Sequence, residues 1–403
     1  MADVRYWLWL SRLRKLSPVA AHKYLDHFGS VKQLYYASAE DYRRMPGAQE
    51  AEIKLLSDKR LDEADDIAES CEKLGVRILS LRDSAYPDRL RNIYDAPLVL
   101  YVKGSLPDID SLPCMAIVGT RRASAYGRRC ARRFAAEMTR SGGVIVSGLA
   151  EGIDSEAMRA AIEVGGPVIG VLGTGVDVVF PAWNTELQNA ACEHGALISE
   201  YPPGTRGNKI SFPQRNRIIS GISLGVVVIE APERSGSLIT AARASEQGRD
   251  VYVVPGNIDD PGFVGSNRLI RDGAALASDP WEILSCYRWQ FPRRIQHRDN
   301  KKRPVMEAVM RIAEAASGKN TDNSAKKAVD NEKDREYIDL KDAAGLSEDE
   351  LAVIYVLSDG EKQADEIIQA TGMDASDVLS AITMLELEGY IRVNDGQRFE
   401  LTR

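Results

Sequence analysis

Between Gly119 and Arg133 the sequence places six arginines, Arg121, Arg122, Arg128, Arg129, Arg132 and Arg133, and no acid. Guanidinium groups beside a glycine turn and the start of a helix are chemistry for holding phosphate, against which stands the plainer reading of a solvated basic helix face. A second cluster, Lys209-Ile-Ser-Phe212-Pro-Gln-Arg215-Asn216-Arg217, sets an aromatic ring among cations. A base can stack on such a ring while the cations hold its backbone, as in single-stranded nucleic-acid binding; alone, Phe212 would read as core. Ser235-Gly236-Ser237 either caps the helix that follows or binds an anion through free N–H groups. Glu200 and Glu230 stand at strand ends, but no histidine, lysine partner or metal pattern makes them an acid–base pair, so they are read as organising arginines. The four histidines, His22, His27, His194 and His297, form no ligand-spaced cluster.

The elements that position these groups follow from hydrophobic patterning. Residues 114–118 are a short continuous apolar run, as in a strand buried on both faces, and Gly119 lets the chain turn into a helix beginning near Tyr126. Further strands are expected at 76–80, 98–103, 144–147, 168–172, 196–199, 226–229 and 251–254, with helical stretches between the later ones. This alternation predicts a doubly wound α/β domain with its ligand at the carboxyl ends of the strands. Several of those ends are glycine-rich: Gly119-Thr120-Arg121, Ser147-Gly148, Gly173-Thr174-Gly175 and Pro255-Gly256. The first loop lacks Gly-x-Gly-x-x-Gly and the second strand ends without an acid, which argues against a nicotinamide enzyme. No P-loop is present.

Residues 1–72 read as a small helical domain, with helices at 4–13, 18–27, 31–37 and 40–45 and a longer one through 65. It is either a helix-hairpin-helix module touching DNA or, the favoured reading, a packing or partner module. The sheet domain is assigned to 73–286. A basic tract follows, Arg288, Arg293, Arg294, Arg298, Lys301, Lys302 and Arg303 with Trp289 and Phe291 interleaved, which suits an auxiliary nucleic-acid contact. Residues 316–336 read as a flexible linker, so 287–340 is basic and then linker. Residues 341–403 pattern as three helices and a hairpin around Asn394-Asp395-Gly396, a winged helix. Five cations there face fourteen acids, a net charge of −9, so this module is read as a protein-interaction or regulatory one, able to compete with DNA for a basic groove. The whole chain of 403 residues carries −7. Five scattered cysteines, no signal-peptide pattern and no long apolar run predict a soluble cytoplasmic protein without zinc, disulfides or cofactor.

Taken together the motifs resemble the DNA-processing protein A family (DprA, also called Smf). They are Gly119-Thr-Arg-Arg-Ala-Ser124-Ala-Tyr-Gly127, Ser147-Gly-Leu-Ala-Glu-Gly-Ile-Asp154, Leu172-Gly-Thr-Gly-Val-Asp177, Phe212-Pro-Gln-Arg-Asn-Arg217 and Glu230-Ala-Pro-Glu-Arg-Ser235-Gly-Ser237, in the family's order. The resemblance implies an extended Rossmann-like domain between a SAM/helix-hairpin-helix-like helical domain and a winged helix. It also implies a homodimer that binds and protects single-stranded DNA and helps load a RecA-type recombinase in natural transformation, with no membrane and no catalysis. Carried over, Arg121 grips phosphate, Lys209, Arg215 and Arg217 line the groove and Phe212 helps form a base pocket. Gly119, Thr120, Ser124, Gly148, Asn216, Ser235, Gly236 and Ser237 complete the DNA-binding set. The sequence departs from the family at Glu151, where Lys or Arg is common, and at Ala157-Met158, where Ala-His is often found; a carboxylate beside a phosphate path repels it. The alternative is a nucleotide-processing Rossmann-like enzyme resembling phosphoribohydrolases, and a third reading is a purely structural adaptor.

Overall fold

The computed structural model describes residues 3–13, 15–181, 184–296, 347–358, 360–387, 389–394 and 398–402. Arg298, Lys301, Lys302 and Arg303, the linker at 316–336 and the tip of the winged-helix hairpin at Asp395-Gly396 lie outside them. The chain divides into two compact units, Met1–Arg311 and Ile312–Arg403.

In the first unit, short apolar runs become the strands β1 (Arg77–Ser80), β2 (Val99–Gly104), β3 (Cys114–Val118), β4 (Val144–Ser147), β5 (Val168–Leu172), β6 (Gly195–Ser199), β7 (Gly225–Val228), β8 (Asp250–Val253) and β9 (Ala275–Leu276). They form one sheet in the order β1-β2-β6-β5-β4-β3-β7-β8-β9. From β6 to β9 all neighbours are parallel, and β1 and β2 extend the β6 edge antiparallel. Every residue of β3, β4, β5, β6 and β7 is buried, which is the physical content of an apolar run with no polar alternation. The strands after β3 proceed to one side as β4, β5 and β6; the chain then returns to lay β7 against the other side of β3, with Met115 paired to Ile145 and to Gly225. That reversal puts a topological switch point at the carboxyl ends of β3 and β7.

The helices of this unit are α1 (Val4–Arg12), α2 (Pro18–Phe28), α3 (Val31–Tyr36), α4 (Ala39–Arg44), α5 (Glu50–Leu56), α6 (Asp62–Lys73), α7 (Asp88–Arg91), α8 (Ala125–Arg140), α9 (Ile153–Glu163), α10 (Thr185–Glu193), α11 (Ser211–Gly221), α12 (Gly236–Glu246), α13 (Val264–Arg271) and α14 (Pro280–Ser285). Ser17, Ser30 and Ser38 each accept a backbone N–H at the start of α2, α3 and α4, which sets where those helices begin. The single helix expected to run through residue 65 is instead α5 and α6. The break at 58–60 is made by distant partners: Trp9 Nε1 donates to the Asp58 carbonyl (2.6 Å), while Arg12 and Arg60 hold its carboxylate. Lys59 sits over the rings of Trp9, Tyr35 and Tyr42, 4.8–5.3 Å from their centroids, and burial lowers its ammonium to about 8. The buried side chains of these helices are continuous with the core under the sheet.

The second unit comprises α15 (Glu348–Leu357), β10 (Lys362–Gln363), α16 (Ala364–Thr371), α17 (Ala375–Leu387), β11 (Ile391–Asn394) and β12 (Arg398–Leu401). Its sheet runs β10-β12-β11, and Val353, Leu357, Ile367, Val378, Ile382, Leu385 and Ile391 form a core of its own. This is a winged helix. Among the described residues no helix of either unit is long and apolar enough to cross a membrane.

Candidate functional site

At the end of β3 the chain must pass close under α9, and only glycine fits: a Cβ on Gly119 would lie 2.5 Å from Ile153 Cγ1. The next residue is tied on both sides, Thr120 N–H donating to the Glu230 carbonyl (2.7 Å) and its own carbonyl accepting from Ile153 N–H (3.2 Å). A backbone held this way projects the exposed Arg121 side chain over the ring of Phe212, with its guanidinium carbon 5.6 Å from the centroid. Phe180 lies against the same ring, centroids 5.1 Å apart and planes 36° from parallel.

The floor is Arg215. Buried in the second turn of α11, it donates through Nη1 to the carbonyls of Gly148 (2.8 Å) and Val171, and so ties the end of β4 to β5. Gly148 has to be glycine here, because a Cβ would lie 2.6 Å from the guanidinium. Gly148 N–H in turn donates to the buried carboxyl of Asp154 (3.1 Å). Burial lowers Arg215 to about 10 although Asp154 opposes the shift, and burial raises Asp154 although Arg215 and backbone N–H groups oppose that. Arg121, Gly148, Gly173, Phe180, Phe212 and Arg215, with Leu172, Thr174, Ala150 and Pro181, enclose a cleft of about 110 Å³, and Glu151 sits on its rim. A dry cavity of roughly 150 Å³ takes up benzene, so this one is on the scale of a single flat ring. With an exposed guanidinium above and a buried one below, it can hold an aromatic ring that carries an anion.

The residues expected to bind DNA therefore divide. Arg121, Gly148, Phe212 and Arg215 come together in the cleft, and the exposed Lys209 lies on the loop leading into α11. The others build the frame. Arg217 does not line the cleft: it is buried in ion pairs with Glu200 (2.7 Å) and Asp95 (3.1 Å). Asn216 donates to the Gly236 carbonyl (3.2 Å), and Ser235 caps α12, its Oγ accepting from Ser237 N–H (3.4 Å) and lying 2.7 Å from Ser237 Oγ. Ser124 caps α8 by accepting from Gly127 N–H (3.0 Å), and donates its own N–H and hydroxyl to Glu230 (2.9 and 2.7 Å).

Two expectations are corrected by this arrangement. The start of α8 was expected to receive phosphate, but the buried Glu230 carboxylate already occupies that position, at the switch point between β3 and β7. Glu230 thus organises a serine turn, whereas Glu200 does pair with an arginine. Three arginines of α8 are also neutralised: Arg128 pairs with Glu156 (3.5 Å), Arg132 with Glu156 (3.4 Å) and Glu163, and Arg133 with Glu137 (3.1 Å) and Asp279 (2.8 Å). Missing from the sequence-based site are Phe180, Leu172-Gly173-Thr174 and Glu151. All lie at strand ends or on the loops that follow them, whose glycines mark the site, and Glu151 stands out as the acid where a cation was expected. Among the described residues no group of three or more His, Cys, Asp or Glu could hold a metal ion.

Comparison with known proteins places this geometry in context. Residues 77–288 match the family described as DNA recombination-mediator protein A, and residues 341–397 match the DprA winged helix domain. The chain is 44% identical over 213 residues to the DNA processing protein DprA of Bacillus subtilis, covering 52% of this chain and 72% of that protein. It is 30% identical over 405 residues to protein Smf of a Synechocystis species, covering 99% of each. The X-ray structure of DprA from Streptococcus pneumoniae superposes with a TM-score of 0.62 at 37% identity, over 70% of this chain and 97% of that one. With the sheet domain, the winged helix and nearly the full length of a relative all matched in order, the chain belongs to the DNA recombination-mediator protein A family.

Proposed function

We propose that this chain holds single-stranded DNA at the cleft on the carboxyl edge of the sheet, protects it there and passes it to a RecA-type recombinase, acting as a cytoplasmic homodimer without covalent chemistry. The observation that carries the reading is the Arg121 guanidinium over the Phe212 ring, with Phe180 beside it and Arg215 beneath. A base enters the slot and stacks on an aromatic face, and its phosphate meets Arg121; such a contact is tolerant of sequence because every base has a π-face. The enzymatic alternative, nucleotide turnover, needs a free acid–base pair. Glu200 is committed to Arg217 and Glu230 to the Ser124 turn, which favours the binding reading.

Fluorescence anisotropy with labelled single strand and matched duplex tests it. Arg121→Ala and Phe212→Ala are each expected to weaken single-strand affinity about 5- to 100-fold, and loss of Arg121 should flatten the salt dependence by about 0.7 in log–log slope. Equal affinity in wild type and both variants, or no binding at low salt, would overturn the reading.

Glu151 gives a prediction of opposite sign. Its carboxylate on the cleft rim faces the phosphate path, so Glu151→Lys is expected to tighten single-strand binding several-fold at low salt and to steepen the salt slope. Unchanged affinity in a salt titration of that variant would mean the strand runs elsewhere.

A further inference from the structure

The segment after α14 is fastened to the opposite edge of the sheet from the cleft. Tyr287, Phe291 and Ile295, spaced four residues apart, are its buried anchors. The Tyr287 hydroxyl donates to Asp250 at the start of β8, and Gln296 N–H donates to the Ser141 carbonyl (3.1 Å). The Arg294 carbonyl packs on Gly142 where any Cβ would collide with it. Asp250 opens β8 and Gly142 just precedes β4, so this corner lies at the amino ends of the parallel strands.

Between the anchors the chain presents Trp289, 77% exposed, in a turn that the anchors hold. An indole left this open forgoes most of the burial its area could gain. Arg293 and Arg294 follow it in the same short segment and are exposed, and Arg140, the last residue of α8, immediately precedes the Ser141 that Gln296 binds. Among the described residues none of these three arginines forms an ion pair with a carboxylate, unlike Arg128, Arg132 and Arg133 of α8. Residues 288–296 contain no acid. One flat ring among cations that have no carboxylate partner among the described residues suits a nucleobase between phosphates.

We propose that Trp289, Arg293, Arg294 and Arg140 form a second contact for single-stranded DNA, with one base stacked on Trp289 and the flanking phosphates on the arginines. The inference rests on the single-strand reading of the cleft and extends it to long strands, which touch both edges of the sheet. A five-residue strand such as β5 already separates the edges by roughly 17 Å. A very short oligonucleotide filling the cleft therefore does not reach this corner.

The test uses the full chain with the dinucleotide d(TpT), too short to span that separation, and with oligo(dT) of roughly 16 nucleotides, the upper end of known single-strand site sizes. Trp289→Ala, whose exposed side chain supports no core, is expected to lose about 5- to 100-fold in affinity for the long strand and to keep that for the short one. Arg293→Gln with Arg294→Gln should reduce the salt slope on the long strand by about 1.4. If these variants bind the long strand as wild type does while Arg121→Ala loses both lengths, the corner is not a DNA contact and the cleft reading stands. That same result together with impaired recombinase binding would make the corner a protein surface and likewise overturn the proposal. If Trp289→Ala loses the long strand while Arg121→Ala and Phe212→Ala bind normally, the corner stands and the cleft reading fails.

Discussion

Arg217→Ala is expected to destabilise the first unit by about 3–5 kcal/mol while leaving the DNA affinity of the folded protein within about twofold of wild type. Only 5% of the Arg217 side chain is exposed, and it faces carboxylates from two different segments, Glu200 after β6 and Asp95 before β2. Its Nε also donates to the Asp95 carbonyl (3.1 Å), and its own carbonyl accepts from Gln247 after α12 (3.0 Å). Truncating it leaves two partly buried carboxylates without a counter-charge, which costs more than the pair itself contributed. Arg217→Lys keeps the charge but lacks the planar fork that reaches both acids, so it should recover only part of the loss. Urea denaturation followed by binding at low denaturant separates the two effects. A variant as stable as wild type that no longer binds DNA would return Arg217 to the groove.

The contrast between Arg217 and Arg121 shows what a local reading of the sequence can and cannot see. Strand β3 spans the residues expected of it, Cys114–Val118, because burial on both faces requires an unbroken apolar run and that requirement is local. The two-residue strands β9 and β10 carry no such signal; in β9 both residues are exposed. The division of α5 from α6 depends on Trp9, whose indole takes a carbonyl 49 residues away. Charge is the least local of all. The arginines of α8 look unpaired along the sequence, yet Glu163 meets Arg132 across 31 residues and Asp279 meets Arg133 across 146. Glu230 reaches the start of α8 from 106 residues away and fills the position that a helix N-terminus offers to an external anion. What remained legible was Arg121 beside Phe212. The cation stands on a pinned glycine turn and the aromatic at the head of the helix that follows the loop after β6, and the parallel sheet brings such strand-end segments to one edge.

Arg215→Ala is expected to cost about 3–5 kcal/mol as well, but with a pH signature and a binding defect that Arg217→Ala lacks. Asp154 is buried beneath the cleft, and the Arg215 guanidinium is the charge that opposes its desolvation. Without that charge the Asp154 carboxyl rises further above its unfolded value. A carboxyl raised in the folded state contributes stability that is fully present below its unfolded pKa and is lost as pH rises through its folded one. The deficit of Arg215→Ala should therefore be smallest under acid conditions, grow as pH rises from the unfolded carboxyl pKa to the elevated Asp154 one, and level off above it. Arg215→Met combined with Asp154→Asn removes both charges together, so most of the stability should return, as when a buried pair is replaced by neutral groups of similar volume. DNA affinity should not return with it, because the cleft floor still lacks its cation and Gly148 and Val171 their shared donor. Denaturation of the two variants at acid and neutral pH, followed by anisotropy on the folded protein, distinguishes a cation that supports the fold from one that also meets the strand. If the double variant binds DNA as tightly as wild type, Arg215 supports the loops without contacting the ligand, and Arg121 is left as the cation that meets phosphate in the cleft.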